Sequence, residues 1–84
     1  MALEIVWSDS ARRRLKKLDR TVARRVFEAV GELREDPLRH LQKIVNSPYY
    51  RLRVGDYRVI VDIQRDALRV LVLKVGHRES VYER

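Results

Sequence analysis

The sequence predicts an α+β fold. It reads as an N-terminal strand, a two-helix hairpin and then a three-stranded antiparallel meander (βααβββ), with the helices packed on one face of the sheet. Three observations predict this. Apolar residues recur at helical spacing between Ala11 and Leu33. From Tyr49 the apolar period switches to two. Two turn signals, Gly55-Asp56 and Arg65-Asp66-Ala67, then divide the second half into strand-sized pieces. An apolar helical hairpin and an apolar sheet face bury each other in the two-layer arrangement.

Each element follows from local chemistry. Leu3-Glu4-Ile5-Val6-Trp7 alternates and is β-prone, so it reads as the first strand. Ser8-Asp9-Ser10 offers helix N-caps, and Ala11, Leu15 and Leu18 mark a first helix ending near Asp19. Thr21 is positioned to cap a second helix with the stripe Val22, Val26, Val30 and Leu33. Asp36-Pro37 stops it, because a residue preceding proline avoids the α region. Residues 38–48 read as a connecting loop with room for a helical turn. Tyr50, Leu52 and Val54 form one side of the next strand, Tyr57 to Gln64 the second, and Leu68 to Val75 the third, ended by Gly76. That last strand is apolar on both faces at its middle, which predicts an interior position in the sheet.

The chain has 84 residues, the size of one domain. Such a domain buries a modest fraction of its surface, so a bound partner adds materially to its stability. There are no cysteines, which rules out disulfides and thiolate zinc sites and fits a reducing cytoplasm. The apolar runs are strand-sized rather than membrane-spanning, and the start lacks a signal-peptide pattern. Nineteen Lys and Arg against twelve Asp and Glu give a net charge of +7. A surface of that sign attracts polyanions: RNA, DNA, an anionic membrane or an acidic protein. Charge alone does not choose among them.

Two groups of basic residues stand out. Arg12, Arg13, Arg14, Lys16, Lys17, Arg20, Arg24 and Arg25 crowd the helices. They form either a solvated face or a footprint for a nucleic-acid backbone, with Arg12, Arg13, Lys16, Lys17, Arg20 and Arg24 as RNA-binding candidates. An acidic partner protein can use the same face. The second group is Arg51, Arg53 and Arg58. Alternation puts Arg51 and Arg53 on one side of a strand, and a two-residue hairpin pairs Arg53 with Arg58. Like charges so placed repel. Either a bound phosphate gripped by guanidinium forks offsets this, or solvent and Asp62 do. Arg78, His77 and Tyr82 follow the last strand. They suit charge stabilisation, proton transfer and base stacking respectively, or else an ion pair, a surface imidazole and a packed aromatic.

Other chemistries lack residues to carry them. The chain has no glycine-rich phosphate loop, no paired histidines at helical spacing and no Cys-x-x-Cys. Its two histidines and scattered carboxylates argue against a catalytic zinc or a two-metal nuclease, so no cofactor is expected. Ser8, Ser10, Ser47 and Ser80 sit in no nucleophile motif.

The stretch from Tyr50 to Ile60, YRLRVGDYRVI, resembles the central hairpin of RelE-type toxins of the RelE/ParE superfamily. VGHRESVY, Val75 to Tyr82, resembles their C-terminal motif, and the element order matches over nearly the whole chain. The resemblance implies a single RelE-like toxin domain over residues 1–84, belonging to a type II toxin–antitoxin pair. It further implies a metal-free endoribonuclease that enters the A site on the small particle of the ribosome and cuts messenger RNA. There the ribose 2′-hydroxyl attacks the adjacent phosphate and leaves a 2′,3′-cyclic phosphate. A RelB-like antitoxin is the implied partner, in a higher-order complex that binds operator DNA through the antitoxin; no membrane is implied. By position, Arg51 and Arg53 fall where the family often has two phosphate-binding lysines, one of them with base-like work. Arg58 falls on the arginine that stabilises developing charge and Arg78 on the C-terminal arginine. Tyr82 falls on the stacking tyrosine if the tail is two residues shorter. Arginine holds its proton tenaciously, so neither Arg51 nor Arg53 suits proton abstraction, and His77 is the spare candidate. A non-enzymatic relative of the ParE type, inhibiting DNA gyrase, is the alternative on the same fold.

Overall fold

The computed structural model describes residues 2–80. Strand β1 (Glu4–Trp7) leads into α1 (Asp9–Lys17) and α2 (Arg20–Gly31). A 3₁₀ turn (Glu32–Arg34), the single-turn helix α3 (Pro37–His40) and the short strand β2 (Gln42–Lys43) follow. Then come β3 (Tyr50–Val54), β4 (Tyr57–Gln64), a second 3₁₀ turn (Arg65–Ala67) and β5 (Arg69–His77). The strands form one sheet in the order β1-β5-β4-β3-β2.

The α+β fold and the antiparallel β3-β4-β5 meander match the sequence expectation. Several details differ. The sheet is mixed, because β1 runs parallel to β5, with Glu4 opposite Arg69 and Trp7 opposite Val72. Turn chemistry sets the pairing inside the meander but says nothing about where a strand some 65 residues away docks. Residues 38–48 hold the expected helical turn, as α3, and in addition the short strand β2. The first helix ends at Lys17, and Asp19 instead caps α2, its carboxylate accepting from the Thr21 N–H at 3.1 Å. Thr21 is therefore the donor in the cap and not its acceptor. Gly76 does not end the last strand, which runs on to His77.

Ser8 anchors the start of α1. Its Oγ accepts from the Ala11 N–H and donates to the Leu73 carbonyl, both at 3.0 Å. Leu73 is the site of a β-bulge: Ile60 faces Lys74, but Val61 faces Val72, so β5 carries one extra residue. The bulge reconciles β5 with its own sequence. Val70 and Val72 face the helices, and simple alternation would send Lys74 after them into the core. The extra residue turns Lys74 out and Val75 in, and the structure leaves Lys74 exposed and Val75 buried.

The core lies between the helices and one sheet face. Ala11, Val26, Val30 and Leu33 pack with Leu52, Val59, Val61, Val70, Val72 and Val75. The opposite face carries Arg51, Arg53, Arg58, Ile60, Asp62 and Lys74, as the registers require. Among the described residues no helix is long and apolar enough to cross a membrane.

The β3–β4 turn depends on glycine. Gly55 has φ +56° while Asp56 keeps negative φ, the pattern of a type II′ hairpin turn with glycine first. Gly55→Ala should cost about 1–2 kcal/mol, because an L residue is strained there. Its new Cβ would also meet the Arg25 guanidinium at 3.4 Å. For a domain of this size that is a fall of roughly 4–16 °C in melting temperature. An unchanged thermal melt would contradict the turn geometry.

Candidate functional site

The β3–β4 hairpin presents arginines because alternation forces it to. With Leu52 and Val54 committed to the core, Arg51 and Arg53 must project from the open face. Arg53 stands opposite Arg58, and Arg58 stands opposite Gly76 on its other side. The predicted pairing of Arg53 with Arg58 is thus observed.

The three guanidinium groups do not all share one concavity. Arg51 and Arg53 line a cleft of about 290 Å³ together with Arg39, His40, Leu41 and Gln42. Arg51 donates from Nη2 to Gln42 Oε1 at 2.6 Å. Arg58 instead folds back over the turn, its Nη1 donating to the Gly55 and Tyr57 carbonyls, both at 2.8 Å. This contact lowers the repulsion with Arg53 by placing the cation on carbonyl dipoles. Such exposed bonds are individually weak, so the side chain can exchange them for a stronger anionic acceptor.

The hairpin tip gathers further cations. The Arg78 backbone N–H donates to the Asp56 carbonyl at 2.8 Å, pinning the segment after β5 to the turn. From α2, Arg25 reaches the same turn from the helical side. His77 is placed differently. It pairs with Tyr57, whose side faces the helices, and its ring stands edge-on to Tyr57 with centroids 5.6 Å apart. His77 therefore lies on the other side of the sheet from Arg53 and Arg58. Its Nδ1 accepts from the Glu79 N–H at 3.3 Å. Tyr82 lies outside the described residues.

The helical candidates Arg12, Arg13, Lys16, Lys17, Arg20 and Arg24 are all exposed. Arg12 is partly engaged, 3.7 Å from Asp9 and donating to the Trp7 carbonyl at 3.3 Å. Sequence reasoning passed over Arg39, His40 and Gln42, which belong to the segment expected to be loop. The signal available was an imidazole and a cation immediately before an edge strand, and it becomes legible only once β2 is paired to β3. Among the described residues no three His, Cys, Asp or Glu side chains gather as metal ligands do.

A family model described as the ParE toxin of the type II toxin–antitoxin system parDE matches residues 5–82. The chain belongs to that toxin family, within the RelE/ParE superfamily. This ParE-family toxin is 33% identical to Toxin RelG of Mycobacterium tuberculosis over 92 residues, with both chains covered in full. Among solved structures it is similar to the toxin–antitoxin complex RelBE2 of Mycobacterium tuberculosis, at 28% identity and a TM-score of 0.83. That match covers 93% of this chain and 100% of the other. It is likewise similar to the intact toxin–antitoxin complex RelBE of E. coli, at 25% identity and a TM-score of 0.77, covering 90% of this chain and 96% of that one. The basic hairpin face is thus carried by a toxin of a type II toxin–antitoxin system.

Proposed function

We propose that this toxin is an endoribonuclease that cuts messenger RNA in the ribosomal A site. The observation that carries the reading is the projection of Arg51, Arg53 and Arg58 from one open sheet face, with Arg51 and Arg53 lining one cleft. A phosphodiester seated there neutralises a cluster that otherwise repels itself. Arg51 and Arg53 grip the non-bridging oxygens. Arg58 leaves the turn carbonyls to meet the charge that builds on the phosphorane. Arg78 closes the far side. Attack by the ribose 2′-hydroxyl needs no metal when guanidinium groups supply the charge, and its products are a 2′,3′-cyclic phosphate and a 5′-hydroxyl. The exposed cations of α1 and α2 bind the ribosomal RNA backbone and set affinity and salt dependence. The site of action is then the cytoplasm.

A RelB-like antitoxin is the partner this reading calls for, in a higher-order complex that reaches operator DNA through the antitoxin. The two solved structures described above are toxin–antitoxin complexes, and among the described residues β1 leaves one sheet edge open to an added strand. Beside that edge Phe27 is 58% exposed and stacks on Trp7 at 6.1 Å between centroids, a ready apolar seat for an amphipathic helix.

The deciding experiment incubates the purified toxin with programmed ribosomes and maps RNA ends. Cuts within the A-site codon, carrying cyclic phosphate, are expected. A second reading, a non-enzymatic inhibitor of DNA gyrase, is favoured by the ParE description of the matched family and by arginine where a base is needed. Intact messages together with trapped gyrase–DNA cleavage complexes would replace the first reading with the second.

A further inference from the structure

One titratable side chain stands in the arginine cleft. His40 closes α3, and Leu41 continues in extended conformation, φ −109° and ψ 151°, into β2. Gln42 pairs with Arg51 in antiparallel register, and the end of α3 just ahead of it lies across the cleft from Arg53. Arg53 in turn stands opposite Arg58, and Arg58 opposite Gly76, which has no side chain. His40 lines the cleft together with Arg51 and Arg53.

We propose that His40 is the proton acceptor for the attacking 2′-hydroxyl, and hence a catalytic residue. The inference rests on the nuclease reading above. Among the described residues that line the cleft, the arginines hold their protons and the Gln42 amide is not basic, which leaves the imidazole as the group able to take a proton. In the step, an imidazole nitrogen takes the 2′-hydroxyl proton as the O2′–P bond forms. The P–O5′ bond breaks, its electron pair goes to the 5′ oxygen, and that oxygen takes a proton from water. The imidazolium then returns its proton to solvent. The charged groups facing His40 are Arg39 on its own helix and Arg51 and Arg53 on β3; no carboxylate is among the described residues that line the cleft.

The test is single-turnover cleavage on ribosomes by the parent, His40→Ala and His40→Gln, across pH and with added imidazole. Both variants should cut on the order of 10²–10⁴-fold more slowly. They should lose the acidic limb of the parent's pH–rate profile, and free imidazole should restore part of the rate to His40→Ala. His40 is exposed, so the variants should melt with the parent. Cleavage within about threefold of the parent overturns the assignment and leaves the nuclease reading standing. So does a slow variant whose pH profile matches the parent's and which imidazole does not rescue, since that marks a residue that only binds. A parent that cuts no RNA overturns the nuclease reading, and this assignment with it.

Discussion

On the nuclease reading proposed above, replacing Arg58 and Arg78 together with alanine is expected to abolish message cleavage while leaving the fold intact. Arg58 stands centrally in the row between Arg53 and Gly76, with no side chain crowding it from β5. Among the described residues its guanidinium is held by two turn carbonyls, bonds it can exchange as charge develops on the phosphorus centre. Arg78 is set beside it by the backbone bond to Asp56, a contact that alanine keeps. Removing one preorganised donor to a developing oxyanion costs roughly 10²–10³ in rate. The pair should approach 10⁴ or more, short of strict multiplication because both act on one charge. Single-turnover kinetics on ribosomes provides the measurement. A double variant that cuts as fast as the parent would remove both residues from the site.

Leu33→Ala is expected to have the largest effect on stability. Leu33 is 0% exposed and among the largest fully buried side chains, in the 3₁₀ turn that ends the helical layer. Beside it, the Leu3 N–H donates to the Arg34 carbonyl at 2.8 Å and ties this turn to the first strand. Truncation removes buried surface and leaves a cavity that neighbours pinned in this way cannot collapse to fill, a loss of about 2–5 kcal/mol. In a domain of this size that lowers the melting temperature by roughly 8–40 °C. A partner that binds only the folded toxin would recover part of the loss in proportion to its concentration. A fall of less than about 4 °C on thermal denaturation would contradict the packing described.

The second half of the chain is the more legible. Period-two alternation and the Gly55-Asp56 turn are local signals, and they lead directly to the register that sets Arg53 against Arg58. The helical stripes are equally plain in Val22, Val26, Val30 and Leu33. Three features are hidden for physical reasons. The docking of β1 on β5 depends on contacts between distant segments, not on anything local to Leu3–Trp7. The strand β2 is two residues long and owes its conformation to its neighbour, so Gln42 and Lys43 carry no signature. The side on which His77 falls is hidden by the bulge at Leu73, which simple alternation does not show. One extra residue there changes the side of every later position.

That bulge makes the address of the C-terminal groups a matter of counting. Straightening β5 with every residue kept would turn over everything beyond Leu73, carrying the imidazole of His77 out to the face of Arg58 and drawing Gly76 in beneath the helices, whereas trimming Leu73 would leave each later residue on its present side. Because the switch is all-or-none, a chain on this scaffold can exchange which groups meet the hairpin arginines by forming or losing the bulge, with no new side chain required. The hydroxyl of Ser8, seated on the irregular carbonyl, is the latch that holds the count.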